Sequence, residues 1–247
     1  MLVEDNAINR LVATATLGRY GAKITEAVNG IEAVEAIKSS QVDLVLMDMQ
    51  MPVMDGLEAT TIIRNEIGSD VPIIALTANA IKGESDKCYE AGMNDFISKP
   101  FKEEELVRVI AKWLGKNVSI AVAGKPVAAA GQLYNLSQMH EISNGDNVFF
   151  KKIITLFISE AGISLEEIHA ANQGNDFNTI KAVVHRIKPT IENMGIASLQ
   201  NNVRQIEKLA ILNKPSDELN KLIEELDTTL KNVIESLQAA YLKAVAA

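Results

Sequence analysis

Short apolar runs alternate with amphipathic stretches through the first 116 residues. Leu2-Val3, Ala22 to Ala27, Leu44 to Met47, Ile73 to Leu76 and Phe96 to Ser98 are each bounded by polar or turn residues. The runs of four apolar residues among them fit strands buried on both faces. Between them, residues near 6–18, 30–39, 56–66, 82–91 and 102–114 carry apolar positions at helical spacing. Strand–helix alternation with short connections predicts a parallel sheet covered by helices, with ligands bound at the carboxyl ends of the strands.

The texture changes after residue 116. Residues 117–131 are dominated by Val, Ala and Gly around Lys125-Pro126, with no strand or helix period, and read as a linker. A flexible chain of about 15 residues spans roughly 20 Å on average. Residues 132–247 hold no convincing strand. Asn135 to Ser143 forms a short leading helix. Asp146 starts a long one with Phe149, Phe150, Ile153, Ile154, Phe157 and Ile158 on one face. Gly174-Asn175-Asp176 breaks the chain before a helix carrying Ile180, Val183, Val184, Ile187 and Ile191. A third holds Leu199, Val203, Ile206 and Ala210, and Pro215-Ser216 opens a last one running from Leu219 to Tyr241. Four amphipathic helices with short loops predict an antiparallel four-helix bundle.

Charge narrows the possible outputs. The net charge is −8, with −6 on residues 1–117 and −2 on the remainder, and no basic cluster stands out. A nucleic-acid-binding output domain needs clustered Lys and Arg for phosphate contacts, so that class is disfavoured. The single cysteine, Cys88, excludes an internal disulfide and suits a reducing compartment. No apolar run approaches about 18 residues, and Met1-Leu2-Val3 runs directly into Glu4-Asp5 without a basic, then apolar, leader. The expectation is a cytoplasmic chain without membrane contact.

The candidate chemistry lies at the strand ends. Glu4-Asp5 follows the first strand, Asp48 the third, Thr77 the fourth and Lys99-Pro100 the fifth, so a parallel sheet brings all of them to one edge. Clustered carboxylates stay ionised only beside a cation. An oxygen-only, incomplete cluster with room for water and phosphate suits Mg²⁺. Lys99 adds a fixed positive charge and Thr77 a hydroxyl donor, which together accommodate a phosphoryl group in flight. Asp55-Gly56 reads as a turn and helix start.

Residues 1–116 resemble the receiver domain of bacterial two-component response regulators. The resemblance rests on Leu2-Val3-Glu4-Asp5-Asn6, Asp48-Met49-Gln50-Met51-Pro52-Val53-Met54-Asp55-Gly56, Ala75-Leu76-Thr77-Ala78 and Lys99-Pro100-Phe101. It implies a flavodoxin-like, doubly wound, five-stranded parallel sheet. It also implies Asp48 as phosphoryl acceptor, with Glu4, Asp5, Asp48 and the main-chain carbonyl of Gln50 as Mg²⁺ ligands. Thr77 and Lys99 would meet the phosphoryl group, Lys99 and Pro100 would be joined by a cis bond, and Phe96 would stand at the switch aromatic. Only three residues precede the acid pair, fewer than the family's first strand normally has, which fits a piece cut from a longer protein.

In the second half, His140 and His169 have no evident supporting partner in the sequence, and both read as ordinary. His185 differs. Lys181, His185, Lys188 and Glu192 form a polar stripe that turns the imidazole to solvent. Lys188 is placed to neutralise a phosphoryl group on the ring. Pro189 cannot donate to the His185 carbonyl, which removes one helical hydrogen bond. His185-Arg186-Ile187-Lys188-Pro189-Thr190, with Gly195 ten residues after the histidine, resembles a histidine-phosphotransfer (HPt) domain, although most members have Gly where Pro189 stands. That resemblance implies His185 as the second phosphoryl carrier.

The order of the two halves resembles the C-terminal part of a hybrid sensor histidine kinase. It implies a phosphorelay in which a sensor kinase phosphorylates Asp48, and the group then passes to His185 and on to a downstream receiver. No Gly-rich phosphate loop leading into a helix is visible, so self-phosphorylation from ATP is not expected. The alternative is a non-catalytic docking module with a receiver fold. Loss of Asp48, Lys99 or His185 would have favoured it, and all three are present.

Overall fold

The computed structural model describes residues 1–77, 84–99, 101, 103–115, 133–143 and 145–242. The chain divides into two compact units, Met1–Gly124 and Lys125–Ala247. The segment read as a linker, 117–131, lies outside the described residues, as do Ala78 and Pro100 of the quoted motifs.

The first unit runs β1 (Leu2–Val3), α1 (Ala7–Gly18), β2 (Glu26–Ala27), α2 (Gly30–Ser39), β3 (Val45–Asp48), α3 (Gly56–Asn65), β4 (Ile73–Thr77), α4 (Glu84–Glu90), β5 (Asp95–Ser98) and α5 (Glu103–Trp113). All strand pairs are parallel, in the order β2-β1-β3-β4-β5. This is the flavodoxin-like order, whose switch point lies between β1 and β3. The alternation of side chains along each strand divides the core in two. Val45, Met47, Ile73 and Ala75 pack with Ala33 of α2, Ala59 and Ile63 of α3 and Cys88 of α4. Leu46, Ile74, Leu76 and Ile97 pack with Ala13 and Leu17 of α1 and Leu106 and Val109 of α5. Both faces of the central strands are therefore dry, which is why Leu44 to Met47 and Ile73 to Leu76 read as unbroken apolar runs.

One predicted strand is shorter than expected. The run Ala22 to Ala27 contributes only Glu26 and Ala27 to the ladder, because its one partner, β1, offers only Leu2 and Val3. Side chains at the helix starts match the turn chemistry. Asn6, Asn29 and Asp55 each accept from the backbone N–H three residues on, satisfying one of the helix's unpaired donors.

The second unit runs α6 (Ser137–Ser143), α7 (Asn147–Gln173), α8 (Phe177–Asn193), α9 (Ala197–Ile211) and α10 (Asp217–Leu237). The last four form the predicted bundle: α8 packs on α7 and α9, and α10 closes on α9 and α7. Its core holds Phe157, Ile168, Ile180, Val184, Ile191, Val203, Ile206, Leu226 and Leu230, all fully buried. The helix predicted to reach Tyr241 widens after Leu237 into a π turn, Gln238–Leu242. There the Tyr241 ring meets Phe150 edge-on, with centroids 5.3 Å apart.

Gly195 has a plain physical role. Its φ is +63°, and a Cβ placed there would lie 2.5 Å from the Asn135 carbonyl oxygen. Left-handed backbone and a close backbone neighbour both demand glycine. Gly195→Ala is expected to cost the helical unit about 2 kcal/mol or more, from strain plus displacement of the leading segment. Urea denaturation followed by circular dichroism measures it, and an unchanged midpoint would remove the argument.

Candidate functional site

The sheet brings the acidic residues and the lysine together as its topology requires. Glu4 directly follows β1 and Asp48 ends the neighbouring β3, and both are almost fully buried. Lys99 reaches between them from the end of β5, its Nζ 2.6 Å from Glu4 Oε2 and 2.7 Å from Asp48 Oδ2. Asp5 completes the group: Glu4, Asp5 and Asp48 each offer one carboxylate oxygen, all within 4.8 Å of one another. The close fit of α3 holds the acceptor strand in place. Gly56 sits so near β3 that an added Cβ would lie 2.2 Å from the Asp48 carbonyl oxygen.

The other expected members lie nearby to different degrees. The Gln50 backbone N–H donates to Asp48 Oδ1 at 3.3 Å. Thr77 is buried at the end of β4, and its carbonyl accepts from the Lys99 backbone N–H at 2.6 Å. Phe96 lies on β5, edge-on to Tyr89 with centroids 6.4 Å apart.

Burial sets the electrostatics. It pushes the Glu4 and Asp48 carboxyls above the usual carboxylate range, and Lys99 opposes that rise in both. Burial alone would lower the Lys99 ammonium, but Asp48 and Glu4 raise it well above an ordinary lysine. One ammonium thus serves two dry carboxylates, with a third carboxylate at the rim. The cluster retains an excess of negative charge formed entirely of hard oxygen donors, which matches a small divalent cation.

In the helical unit, His185 is not turned wholly to solvent as the polar stripe predicted. Its side chain is 22% exposed, and its Nδ1 lies 2.8 Å from Glu207 Oε1 on α9. The stripe faces the seam between α8 and α9, where a carboxylate meets it. Lys188 Nζ is 3.7 Å from the other oxygen, Glu207 Oε2. The hydrogen bond from His185 is the chief reason that the Glu207 carboxyl is held below the ordinary carboxylate range, against the effect of burial. An ionised carboxylate can only accept, so the contact assigns a proton to Nδ1, and in the neutral imidazole Nε2 is then the nitrogen with the free lone pair. Pro189 lies inside α8 as expected.

His169, read as lacking a partner, in fact has one. Its Nε2 is 3.0 Å from Asp227 Oδ1 on α10, and Lys231 lies 2.8 Å from Asp227 Oδ2. That partner stands 58 residues away in sequence, which is why the sequence did not reveal it. The geometry is the reverse of that at His185, since here the outer ring nitrogen is the one engaged. His140 stacks on Phe150, with centroids 4.1 Å apart and rings 14° from parallel. Glu207 escaped the sequence reading for the same reason as Asp227. The 22-residue spacing from His185 to Glu207 carries no signal until the crossing of α8 and α9 is known.

Fold and site together define a class. The chain belongs to the two-component phosphorelay proteins: residues 1–111 match the response regulator receiver domain and residues 152–240 the Hpt domain. Among its relatives is the sensor histidine kinase GacS of Pseudomonas protegens, 30% identical over 236 residues, covering 92% of this chain and 26% of that kinase. Two-component system protein A of Emericella nidulans is 44% identical over 118 residues, covering 47% of this chain and 17% of that protein. Among solved structures, the chain resembles the receiver domain of sensor histidine kinase PA1611 from Pseudomonas aeruginosa, described with a magnesium ion coordinated in its active site cleft. That match is 47% identical, covers 47% of this chain and 95% of that one, and has a TM-score of 0.44. The chain thus spans only about a quarter of the length of the first relative. Among the described residues, no helix is long and apolar enough to cross a membrane.

Proposed function

We propose that the chain is a two-acceptor phosphorelay intermediate that works in the cytoplasm. Asp48 takes a phosphoryl group from a sensor histidine kinase, and His185 passes it to a downstream receiver. The observation that carries the reading is the buried Glu4–Lys99–Asp48 contact with Asp5 at its edge. Few structural roles call for two dry carboxylates around one lysine, whereas phosphoryl transfer needs charge neutralisation at fixed positions.

In the first step an Asp48 carboxylate oxygen attacks phosphorus as the P–N bond to the donor histidine breaks, giving an acyl phosphate. Lys99 turns from the Glu4 and Asp48 carboxylates to a phosphoryl oxygen, and Thr77 supplies a hydroxyl to another. Glu4, Asp5, Asp48 and the Gln50 carbonyl would hold Mg²⁺, which, when bound, neutralises charge on the phosphoryl oxygens. In the second step the Nε2 lone pair of His185 attacks that phosphorus, and the Asp48 carboxylate leaves. Because Nδ1 keeps its proton, the ring becomes cationic as the N–P bond forms. Glu207 is the counter-ion for that charge, and Lys188 faces the arriving phosphoryl oxygens. Intramolecular transfer and transfer between chains both satisfy this chemistry.

Incubation with acetyl phosphate and Mg²⁺, followed by mass spectrometry, tests the first step. A hydroxylamine-sensitive phosphoryl group on Asp48 is expected, and its absence overturns the reading. For the second step, a phosphorylated partner receiver should transfer an acid-labile group to the helical unit. A helical unit that stays unlabelled with every such donor favours the docking-module alternative.

A further inference from the structure

α1 does more than cover the sheet beside the acidic cluster. Asn9, one turn into the helix, is 5% exposed and donates from Nδ2 to Glu4 Oε1 at 2.9 Å. Lys99 occupies the other oxygen, Oε2. Glu4 is therefore held at both ends of its carboxylate, once by a charge and once by a neutral amide. The amide is itself well anchored, because the Asn9 backbone N–H donates to the capping side chain of Asn6 at 2.9 Å. Next to it, Arg10 Nη1 donates to the carbonyls of Glu4 at 2.7 Å and Asp5 at 2.8 Å, fixing the backbone of the acid pair.

The two holds on Glu4 differ when the site works. On the proposed reading, Lys99 leaves Oε2 for a phosphoryl oxygen, whereas Asn9 carries no charge and has no reason to move. A carboxylate that is almost fully buried and has lost its lysine would otherwise be free to rotate, and rotation would displace the oxygen that Glu4 offers the cluster with Asp5 and Asp48. We propose that Asn9 is a positioning residue for the divalent cation. By pinning Glu4 Oε1 it fixes where Oε2 stands, and so sets the affinity of the cluster for metal. Partners that orient ligating carboxylates from behind commonly have such an effect. The inference rests on the reading that Glu4, Asp5 and Asp48 hold the ion.

The test uses Mn²⁺ as probe, with free Mn²⁺ counted by electron paramagnetic resonance against the full chain. Asn9→Ala should raise the Mn²⁺ dissociation constant about tenfold. In a Glu4→Gln background the same change should add less than about twofold, because two residues acting through one contact are not additive. At saturating metal, phosphorylation of Asn9→Ala by acetyl phosphate should return to within about twofold of wild type, because affinity and not turnover is lost. A helix staple with no role toward the metal would give equal losses in both backgrounds, or none, and either result overturns the inference. If Asn9→Ala melts well below wild type, Asn9→Ser, whose hydroxyl is too short to reach Glu4, is read in the same way. Failure of the wild-type chain to bind Mn²⁺ at all would instead overturn the metal reading beneath it.

Discussion

Asp48→Asn is expected to lower phosphorylation of the receiver unit by acetyl phosphate and Mg²⁺ by more than about a thousandfold, because a neutral amide replaces the carboxylate nucleophile and no neighbour stands in the same place. The fold should survive. Lys99 is shared by Glu4 and Asp48, so neutralising Asp48 leaves one buried ion pair, Lys99 with Glu4, and relieves one desolvated carboxylate. Stability should therefore be unchanged or slightly higher. Lys99→Ala makes the opposite contrast. It strands two dry carboxylates already pushed upward by burial, and in metal-free buffer it should cost about 3 kcal/mol. The pair of variants separates chemistry from charge balance: one loses activity and keeps its melting temperature, the other loses both. Equal destabilisation by the two would show that the cluster is an ordinary structural ion pair.

His185→Gln should abolish transfer of label from a phosphorylated receiver to the helical unit, with the bundle still folded. Glu207→Gln is the sharper probe. A glutamine can accept or donate at Nδ1, so it no longer fixes the proton there, and it offers no counter-charge to the phosphorylated ring. Transfer to His185 should slow on the order of ten- to a hundredfold, the range seen when partners that orient functional histidines are removed. Nitrogen-15 NMR of the ring supplies the check, with Nε2 unprotonated in wild type and mixed tautomers in the variant. The pH dependence follows from the same contact. Glu207 has its folded pKa depressed, so its contribution to stability is complete above the ordinary carboxylate range and is lost as pH falls through the lower folded value. Glu207→Gln should flatten that acid limb. A variant with wild-type transfer and wild-type tautomers would leave the carboxylate without a role.

Much of this arrangement was written plainly in the chain, for identifiable reasons. A parallel sheet sends every strand the same way, so residues after strands one, three, four and five must gather at one edge whatever the details of the helices. That is why the sequence alone groups Glu4, Asp5, Asp48 and Lys99, and why the apolar runs of β3 and β4 stand out in it. Ala22 to Ala27 reads longer than the strand it forms because a local pattern measures willingness to pair, whereas strand length is set by the neighbour, here the two ladder residues of β1. Helical periodicity told which face of α8 was polar but not what stood opposite. Glu207 and Asp227 meet His185 and His169 through the register of packed helices, a tertiary quantity that no local pattern encodes. Asn9 and Arg10 were missed for another reason: their partners are a carboxylate oxygen and two backbone carbonyls, and helix amphipathicity records only the apolar side of a residue's surroundings.

The carboxylate between His185 and Lys188 also bears on how long a signal is kept. At Asp48 the protein supplies more negative charge than positive, and on the proposed reading a phosphoryl group there would depend on a cation borrowed from solution. At His185, on the proposed reading, the counter-charges would be covalently part of the bundle, Lys188 for the phosphoryl oxygens and Glu207 for the ring; His185 and Lys188 both meet the Glu207 carboxylate. Withdrawing divalent metal would thus shut both entry and return through Asp48 while leaving the histidine-bound group in place. The receiver unit then behaves as a valve whose setting follows the metal supply, and the helical unit as a reservoir that holds its contents when the valve closes.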